Sequence, residues 1–271
     1  LIMEPVYFDR AAQSHVVDIQ AALRTHCASA EGCPSLVVVD TTLDGPCFDL
    51  ERILPAAMGC LAPAPLVVRL SSGLKLDQAG LELANVGIVS LYRHERQTFA
   101  IDPVEKLKKA RVLIGAGLGF DAIGTLDAPW FLDRAFARSY AEAVFENNAL
   151  LATRLAETRL DSGGLFAHVS HPSLEVADAQ APYVLLQLHE DSPENYRRLE
   201  EIIARKAKAR QVRFDKGGSF GFRGHRYEAI LPEAGEIMPF LRIALGARKG
   251  WSRDGVVTLL EEIARAPSIE A

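Results

Sequence analysis

The chain has 271 residues, a formal charge of -5 and 49% hydrophobic residues, enough apolar material for one large domain or for a domain with a smaller lobe. The absence of a broad basic surface argues against nucleic acid or an anionic membrane as the main partner. No apolar run reaches the length of a bilayer span, and the opening LIMEPVYFDR lacks the basic-then-apolar plan of a signal peptide. The expected compartment is the cytoplasm. Cys27, Cys33, Cys47 and Cys60 show no CxxC spacing, and His26 completes no metal pattern, so they read as reduced thiols and no metal site is expected, a structural zinc being the lesser alternative.

In chain order, Leu1 to Pro5 reads as the end of a strand, and Val16, Val17, Ile19, Ala22 and Leu23 predict a helix over Ser14 to Ala28. The run Ser35 to Leu43 holds a strand at Leu36 to Val39, completing a βαβ unit with an expected right-handed crossover. A helix follows over Asp49 to Met58. The stretch Pro65 to Gly87 opens with a strand at Leu66 to Leu70, and Ile88 to Tyr92 is a further strand. Leu36 to Val39 and Leu66 to Val68 show no polar alternation, the pattern of parallel strands covered on both faces.

Val104 to Ala110 reads as a surface helix, and Ala135 to Thr158, without Gly or Pro, as one long helix. Beyond it come a strand over Ala181 to Leu188, a charged helix over Pro193 to Lys208, a strand at Gln211 to Phe214, strand-like GGSFGFRGHRYEAI and FLRIALG, and a closing helix over Asp254 to Ala264. This change of texture places a boundary near Arg159 to Gly164. The segment from Arg111 through Gly115, Gly117 and Gly119 has the look of a dinucleotide loop after a strand, but Phe120 stands where the third glycine belongs and Asp127 comes too soon for a ribose contact. A glycine-rich connector or a closely packed helix is the better reading. His168 and His171 fall on a loop and read as solvated.

Ligands bind at the carboxyl ends of the strands in open α/β sheets, so Asp40 and the turn Ser71-Ser72-Gly73-Leu74-Lys75 are expected on one rim. Taken alone, Asp40 reads as a turn or helix cap and Lys75 as a surface lysine. Together they are the pair that chemistry through a cofactor carbonyl needs. An amine bonds to the carbonyl, and a carboxylate keeps a pyridine nitrogen protonated so that the ring withdraws electrons.

The order strand, Asp40-Thr41-Thr42, helix, strand, Ser72-x-x-Lys75, strand resembles the pyridoxal-phosphate (PLP) enzymes of fold type I, and within them the Cys/Met-metabolism group of cystathionine synthases and lyases and methionine lyases. Similar features are Val16-Val17-Asp18-Ile19, Glu146-Asn147-Asn148-Ala149, Ser219-Phe220-Gly221 and Leu241-Arg242-Ile243-Ala244-Leu245-Gly246. The resemblance implies pyridoxal 5'-phosphate as cofactor, Lys75 as the Schiff-base lysine, Asp40 as pyridinium partner, and Thr42 and Ser72 beside the cofactor. It implies Arg242 as the clamp on the substrate α-carboxylate, where a guanidinium binds bidentately, with Ser219, Arg223 and Arg226 as further substrate contacts.

The pattern departs from the group at Leu74, where it has threonine, at Leu76, where it has an aromatic, and at Glu4-Pro5, which lacks a nearby Asn. Glu82 stands close to where class I/II aminotransferases carry a phosphate-binding arginine. The family's arm, phosphate-binding turn and stacking aromatic would lie upstream of Leu1, so the chain is expected to correspond to the C-terminal half of such an enzyme.

The expected architecture is α/β, PLP-transferase fold type I. Residues 1-160 would form the latter part of a mainly parallel large-domain sheet ending in a long linking helix, and 161-271 a smaller α+β C-terminal domain. The expected function is β- or γ-elimination or replacement on a sulfur-containing or related amino acid, in a homodimer or higher homo-oligomer, with a missing N-terminal half as a further partner. The alternatives are a class I/II-type aminotransferase and a non-catalytic C-terminal fragment or partner subunit.

Overall fold

The computed structural model describes residues 1-29, 36-58, 65-93, 102-131, 133-162, 164-231 and 238-269. Ser35, Cys33, Cys60 and Gly163, named above, lie outside the described residues. The elements run β1 (Ile2–Met3), β2 (Val6–Phe8), β3 (Ser14–Val16), α1 (Ile19–Ser29), β4 (Leu36–Asp40), α2 (Leu50–Met58), β5 (Leu66–Ser72), β6 (Gly87–Tyr92), α3 (Pro103–Leu113), α4 (Phe120–Leu126) and α5 (Arg134–Ser162). Then follow β7 (Phe166–Ser170), β8 (Val184–Leu188), α6 (Pro193–Ala209), β9 (Asp215–Lys216), β10 (Arg226–Ile230), β11 (Phe240–Ala244) and α7 (Trp251–Ala264).

The chain forms two compact units. The first comprises Leu1–Pro5, Val17–Gln78 and Glu82–Arg134, and the second Val6–Val16, Ala79–Leu81 and Ala135–Ala271. Division by compactness therefore falls at Arg134, before α5 rather than after it. Leu151, Ala152 and Leu155 of that helix are fully buried in the core of the second unit, which accounts for its membership.

In the first unit the sheet order is β1-β4-β5-β6, with β1-β4 and β4-β5 parallel and β5-β6 antiparallel. Register assigns the faces, because paired residues share one side and the side alternates along each strand. Met3, Val37, Val39 and Val67 form one face and are buried with Ile19 and Leu23 of α1 and Leu50 and Leu54 of α2. Ile2, Leu36, Val38, Val68, Leu70 and Val89 form the other, with Asp40 and Ser72 at its carboxyl end. Ile2, Leu36 and Val89 are exposed, so the expectation of strands covered on both faces holds for one face only.

The second unit carries a five-stranded sheet of order β7-β8-β11-β10-β9, antiparallel except for the β9-β10 pair. Its core joins Leu186, Leu241 and Ile243 of the sheet to Leu199 and Ile203 of α6 and Val256, Leu259 and Leu260 of α7. The Ser192 hydroxyl starts α6 by accepting from Asn195 N at 3.2 Å.

Several elements differ from the sequence reading for local reasons. Ser14 to Val16 is the second strand of a hairpin with β2, not the start of a helix. The helix begins after Asp18, whose Oδ1 accepts from Ala21 N at 2.9 Å, and the β-branched Val16 and Val17 suit an extended lead-in. Gln211 adopts φ 55° in the turn after α6, which shifts the strand from Gln211 to Phe214 on to Asp215–Lys216. Arg111 to Leu113 ends a helix rather than a strand, and an added Cβ at Gly115, Gly117 or Gly119 would meet nothing, so the segment is a connector and not a dinucleotide loop. His168 lies in β7, and His171 is 1% exposed, so neither is a solvated loop residue. Cys27 and Cys47 are reduced.

Leu241 is fully buried at the centre of the second sheet. Leu241→Ala is expected to cost about 2–5 kcal/mol, read as a lowered urea midpoint with an unchanged slope; a loss below about 1 kcal/mol would contradict this placement.

Candidate functional site

The parallel pairing of β4 with β5 brings the ends of both strands to one rim, with Asp40 opposite Leu70. At β4, Asp40 Oδ1 accepts from Thr42 N at 2.9 Å, closing a short turn. Thr41 is buried, with its N-H donating to Leu70 O at 2.8 Å. Thr42 Oγ1 accepts from Ser72 N at 3.1 Å, tying the end of β4 to the end of β5.

The turn after β5 is closed by Lys75 N donating to Ser72 O at 3.3 Å, and Gly73 N donates to Val86 O at 2.8 Å. A Cβ on Gly73 would come 2.9 Å from Val86 Cγ1, so this turn requires glycine. Leu76 is fully buried and packs on Gly45, where an added Cβ would be 2.7 Å from Leu76 Cδ1. The leucine that replaces the expected aromatic thus locks the lysine turn to the turn after Asp40. Gln78 closes the following loop, accepting from Leu83 N and Ala84 N at 2.8 and 3.0 Å and donating to Ala84 O at 2.6 Å. Asp40, Thr42, Ser72 and Lys75 are therefore gathered in the first unit.

Around these residues lies a group of acids that the sequence reading did not pick out. The Asp44 side-chain oxygen Oδ2 is shut off from solvent with no hydrogen-bond partner among the described residues. Burial, with the charges of Glu4 and Asp40 adding and that of Arg69 opposing, pushes its carboxyl up to about 7. Burial also raises Asp77, and burial and the Asp40 charge raise Glu4. Arg69 projects from the face of β5 opposite Ser72 and donates to Thr41 Oγ1 and to Gly45 O, both at 2.8 Å. No sequence pattern marks Asp44, because its burial depends on how three separate segments meet.

The remaining candidates belong to the second unit. Ser219 adopts φ 73° and Gly221 φ 79°. The loop they shape is held by Tyr140 Oη donating to Gly221 O at 3.0 Å and by Arg223 Nε donating to Ala79 O at 3.1 Å. Gly80, at φ 67°, and Gly246 lie so close to this loop that neither has room for a Cβ. Arg226 lies over the Phe222 ring, 3.9 Å from its centroid. Arg242 sits across β11-β10 from Glu228, to which its Nη2 donates, and 5.8 Å from the Tyr183 ring centroid.

The asparagines of the long helix have a role that the sequence pattern did not disclose. Asn148 is buried and pairs with Leu245 through both amide atoms, accepting from its N at 2.9 Å and donating to its O at 2.8 Å. Asn147 donates to Gly246 O at 2.7 Å and Arg248 O at 3.0 Å. His225, buried beside them, accepts from Gly246 N through Nδ1 at 3.2 Å, and burial with the nearby Arg248 and Arg253 charges pushes it down to about 4. The segment after Arg242 is thus anchored at every peptide from Leu245 to Gly246. Among the described residues no metal-holding group of His, Cys, Asp or Glu occurs, and no helix is long and apolar enough to cross a membrane.

No protein-family model matches the sequence, and no curated protein does. Solved structures do. A methionine gamma lyase from Micromonospora echinospora superposes with a TM-score of 0.60 at 20% identity, over 97% of this chain and 62% of its own. A serine palmitoyltransferase from S. paucimobilis gives 0.50 at 15% identity, over 97% and 54%. An archaeal O-phosphoseryl-tRNA(Sec) selenium transferase gives 0.50 at 12% identity, over 97% and 50%. The likeness is one of fold: the chain has the α/β architecture of the fold type I PLP-dependent transferases, and it spans between half and less than two thirds of the length of these structures.

The buried acid has a measurable consequence. The folded chain retains on Asp44 a proton that an unfolded aspartate gives up above its ordinary value of 3.8. Stability from this group is present below that value and lost as pH rises through about 7. The opposite holds for His171 and His225, both pushed down to about 4, whose contributions are present above 6.5 and lost as pH falls through about 4. Asp44→Asn cancels the first effect and leaves the second. The urea midpoint of the variant is expected to match the parent at acid pH and exceed it at mildly alkaline pH; an equal offset at both would contradict a protonated Asp44.

Proposed function

We propose that this chain is part of a PLP-dependent enzyme acting on an amino acid, with elimination or replacement at the β or γ carbon as its reaction. The supporting observation is the joined rim of β4 and β5, where Thr42 links the turn after Asp40 to the strand end before Lys75. The donor set suits the cofactor: a lysine amine, a carboxylate held at one oxygen by Thr42 N, and the hydroxyls of Thr42 and Ser72. When bound, the cofactor supplies an electron sink for the charge that develops at the substrate Cα.

The roles of the chain's own residues follow from their chemistry. Asp40 would accept a charge-assisted hydrogen bond from a protonated ring nitrogen, and Thr42 N holds one oxygen of its carboxylate in place. Lys75 would hold the cofactor, and its amine would serve as the general base that takes and returns the α-proton. Ser72 and Thr42 orient the lysine turn. Arg242 holds the substrate α-carboxylate while its pairing with Glu228 keeps the guanidinium in a fixed plane. Ser219, Arg223 and Arg226 are assigned to substrate contact, with Arg226 the weakest of them because its guanidinium already covers Phe222. The enzyme is proposed to act as a homodimer or higher homo-oligomer in the cytoplasm.

A second reading is favoured by one observation. The apolar sheet face carrying Ile2, Leu36 and Val89 is exposed, as it would be in a subunit that acts only with a partner covering that face. Transamination remains the alternative chemistry, separated from elimination by its products, a keto acid against a released thiol or amine.

The test is titration of the chain with PLP, followed by borohydride reduction and peptide mapping. A visible absorption band with the label on Lys75 alone, lost in Lys75→Ala together with turnover, is the expected result. Label scattered over surface lysines, or an active Lys75→Ala enzyme, would remove the assignment. No band from the chain alone would favour the partner-dependent subunit.

A further inference from the structure

The hairpin of β2 and β3 belongs to the second unit although the chain enters and leaves it from the first. Ser14 N donates to Ser170 Oγ at 3.0 Å, Gln187 Nε2 to Ala11 O at 3.0 Å, and Met238 N to Arg10 O at 3.3 Å. Its tip is equally constrained. Asp9 Oδ1 accepts from Ala11 N and Gln13 N, both at 2.9 Å, and Ala12 adopts φ 58°. The tip is therefore anchored at both its backbone and its carboxylate, and it forms one wall of a cavity of about 270 Å³.

That cavity is lined by Phe8, Asp9 and Arg10 from the hairpin and by Tyr183, Leu185, Phe240 and Arg242 from the sheet. The rings of Phe8 and Tyr183 lie 4.9 Å apart and form an apolar wall. One acid, Asp9, and two arginines line it, and their charges are disposed unequally. Asp9 is spent within the hairpin: besides the two backbone donors, its Oδ2 lies 2.9 Å from His15 Nε2, and the bond to His15 is the main reason its carboxyl is held below the usual range. Glu228 is engaged by Arg242 Nη2. Arg10 makes no side-chain hydrogen bond or ion pair to a described residue. Among the described residues the cavity thus presents one arginine with part of its fork engaged by Glu228 and a second whose guanidinium no other side chain takes up.

We propose that this cavity binds a small organic dianion of the dicarboxylic amino acid class, with Arg242 holding one carboxylate and Arg10 reading the second, side-chain oxyanion. Arg10 is then a specificity-determining residue, and the hairpin exists to carry it beside the sheet. A monocarboxylate of equal length meets only Arg242, whereas a dianion forms charge-assisted hydrogen bonds at both ends, and its methylenes lie against the aromatic wall. The proposal deepens the reading of Arg242 as a carboxylate clamp and rests on it, but it needs neither the cofactor nor Lys75.

The experiment is isothermal titration of the full chain, without PLP and at constant ionic strength, with malonate, succinate and glutarate against butyrate and pentanoate. At least one dicarboxylate is expected to bind with one-to-one stoichiometry and about tenfold or more tighter than the monocarboxylates. Arg10→Ala, with an unchanged circular dichroism spectrum, should bring that dicarboxylate to the level of the monocarboxylates. Arg10→Lys, which keeps the charge but not the fork, should fall between them, and Arg242→Ala should weaken both ligand classes. Equal affinity for the two classes, selectivity that survives Arg10→Ala, or no binding at all would overturn the proposal. Failure of PLP to label Lys75 is read in a separate experiment and leaves this one intact.

Discussion

The parallel ladder between β4 and β5 is the constraint from which the candidate cofactor-binding group follows. Two parallel strands in register must end on the same side of the sheet, and their last peptide groups need partners once the ladder stops. Here those partners include the candidate side chains themselves. Asp40 accepts from Thr42 N and Thr42 accepts from Ser72 N, so the atoms that terminate the strands also hold the acid and the lysine turn in place. Gly73 and Leu76 complete the arrangement by close packing, one through the absence of a side chain and the other by filling the space over Gly45. Geometry at this rim is a by-product of satisfying backbone hydrogen bonds.

The second unit solves a similar problem with different means. The chain after Arg242 leaves its strand, and Asn147, Asn148 and His225 take up the peptide groups that the sheet no longer pairs. A buried amide that both donates and accepts is suited to this, since it can satisfy the N-H and the C=O of one residue at once. The cost of burying His225 is met by keeping it neutral, so its Nδ1 can accept. Residues that looked like a family signature on the long helix therefore act as structural clamps on the segment that follows the candidate carboxylate-binding strand.

Charge is handled in contrasting ways at the two places. In the first unit Asp44 lies near Glu4, Asp40 and Arg69, and holding its proton reduces repulsion among the three acids. In the second, Asp9 lies against His15 and Glu228 accepts from Arg242, so each acid near the cavity is bound to a specific partner. The first arrangement depends on pH near neutrality.

Much of this organisation was legible in the residues. The apolar runs at Leu36 to Val39 and Leu66 to Val68, the long uninterrupted helix, and the polar residues that begin where each run stops together determine the α/β class and bring Asp40 and Lys75 to one rim, because side-chain periodicity and strand direction are local properties. Tertiary structure alone decided the rest. It drew the Val6 to Val16 hairpin into the second unit, buried Asp44 and His171, gave Arg242 its partner Glu228 and left Arg10 beside it. Each depends on pairings between segments far apart in the chain, such as Ser14 with Ser170 or Ala11 with Gln187, and burial or ion pairing set by such contacts leaves no periodic trace in the sequence.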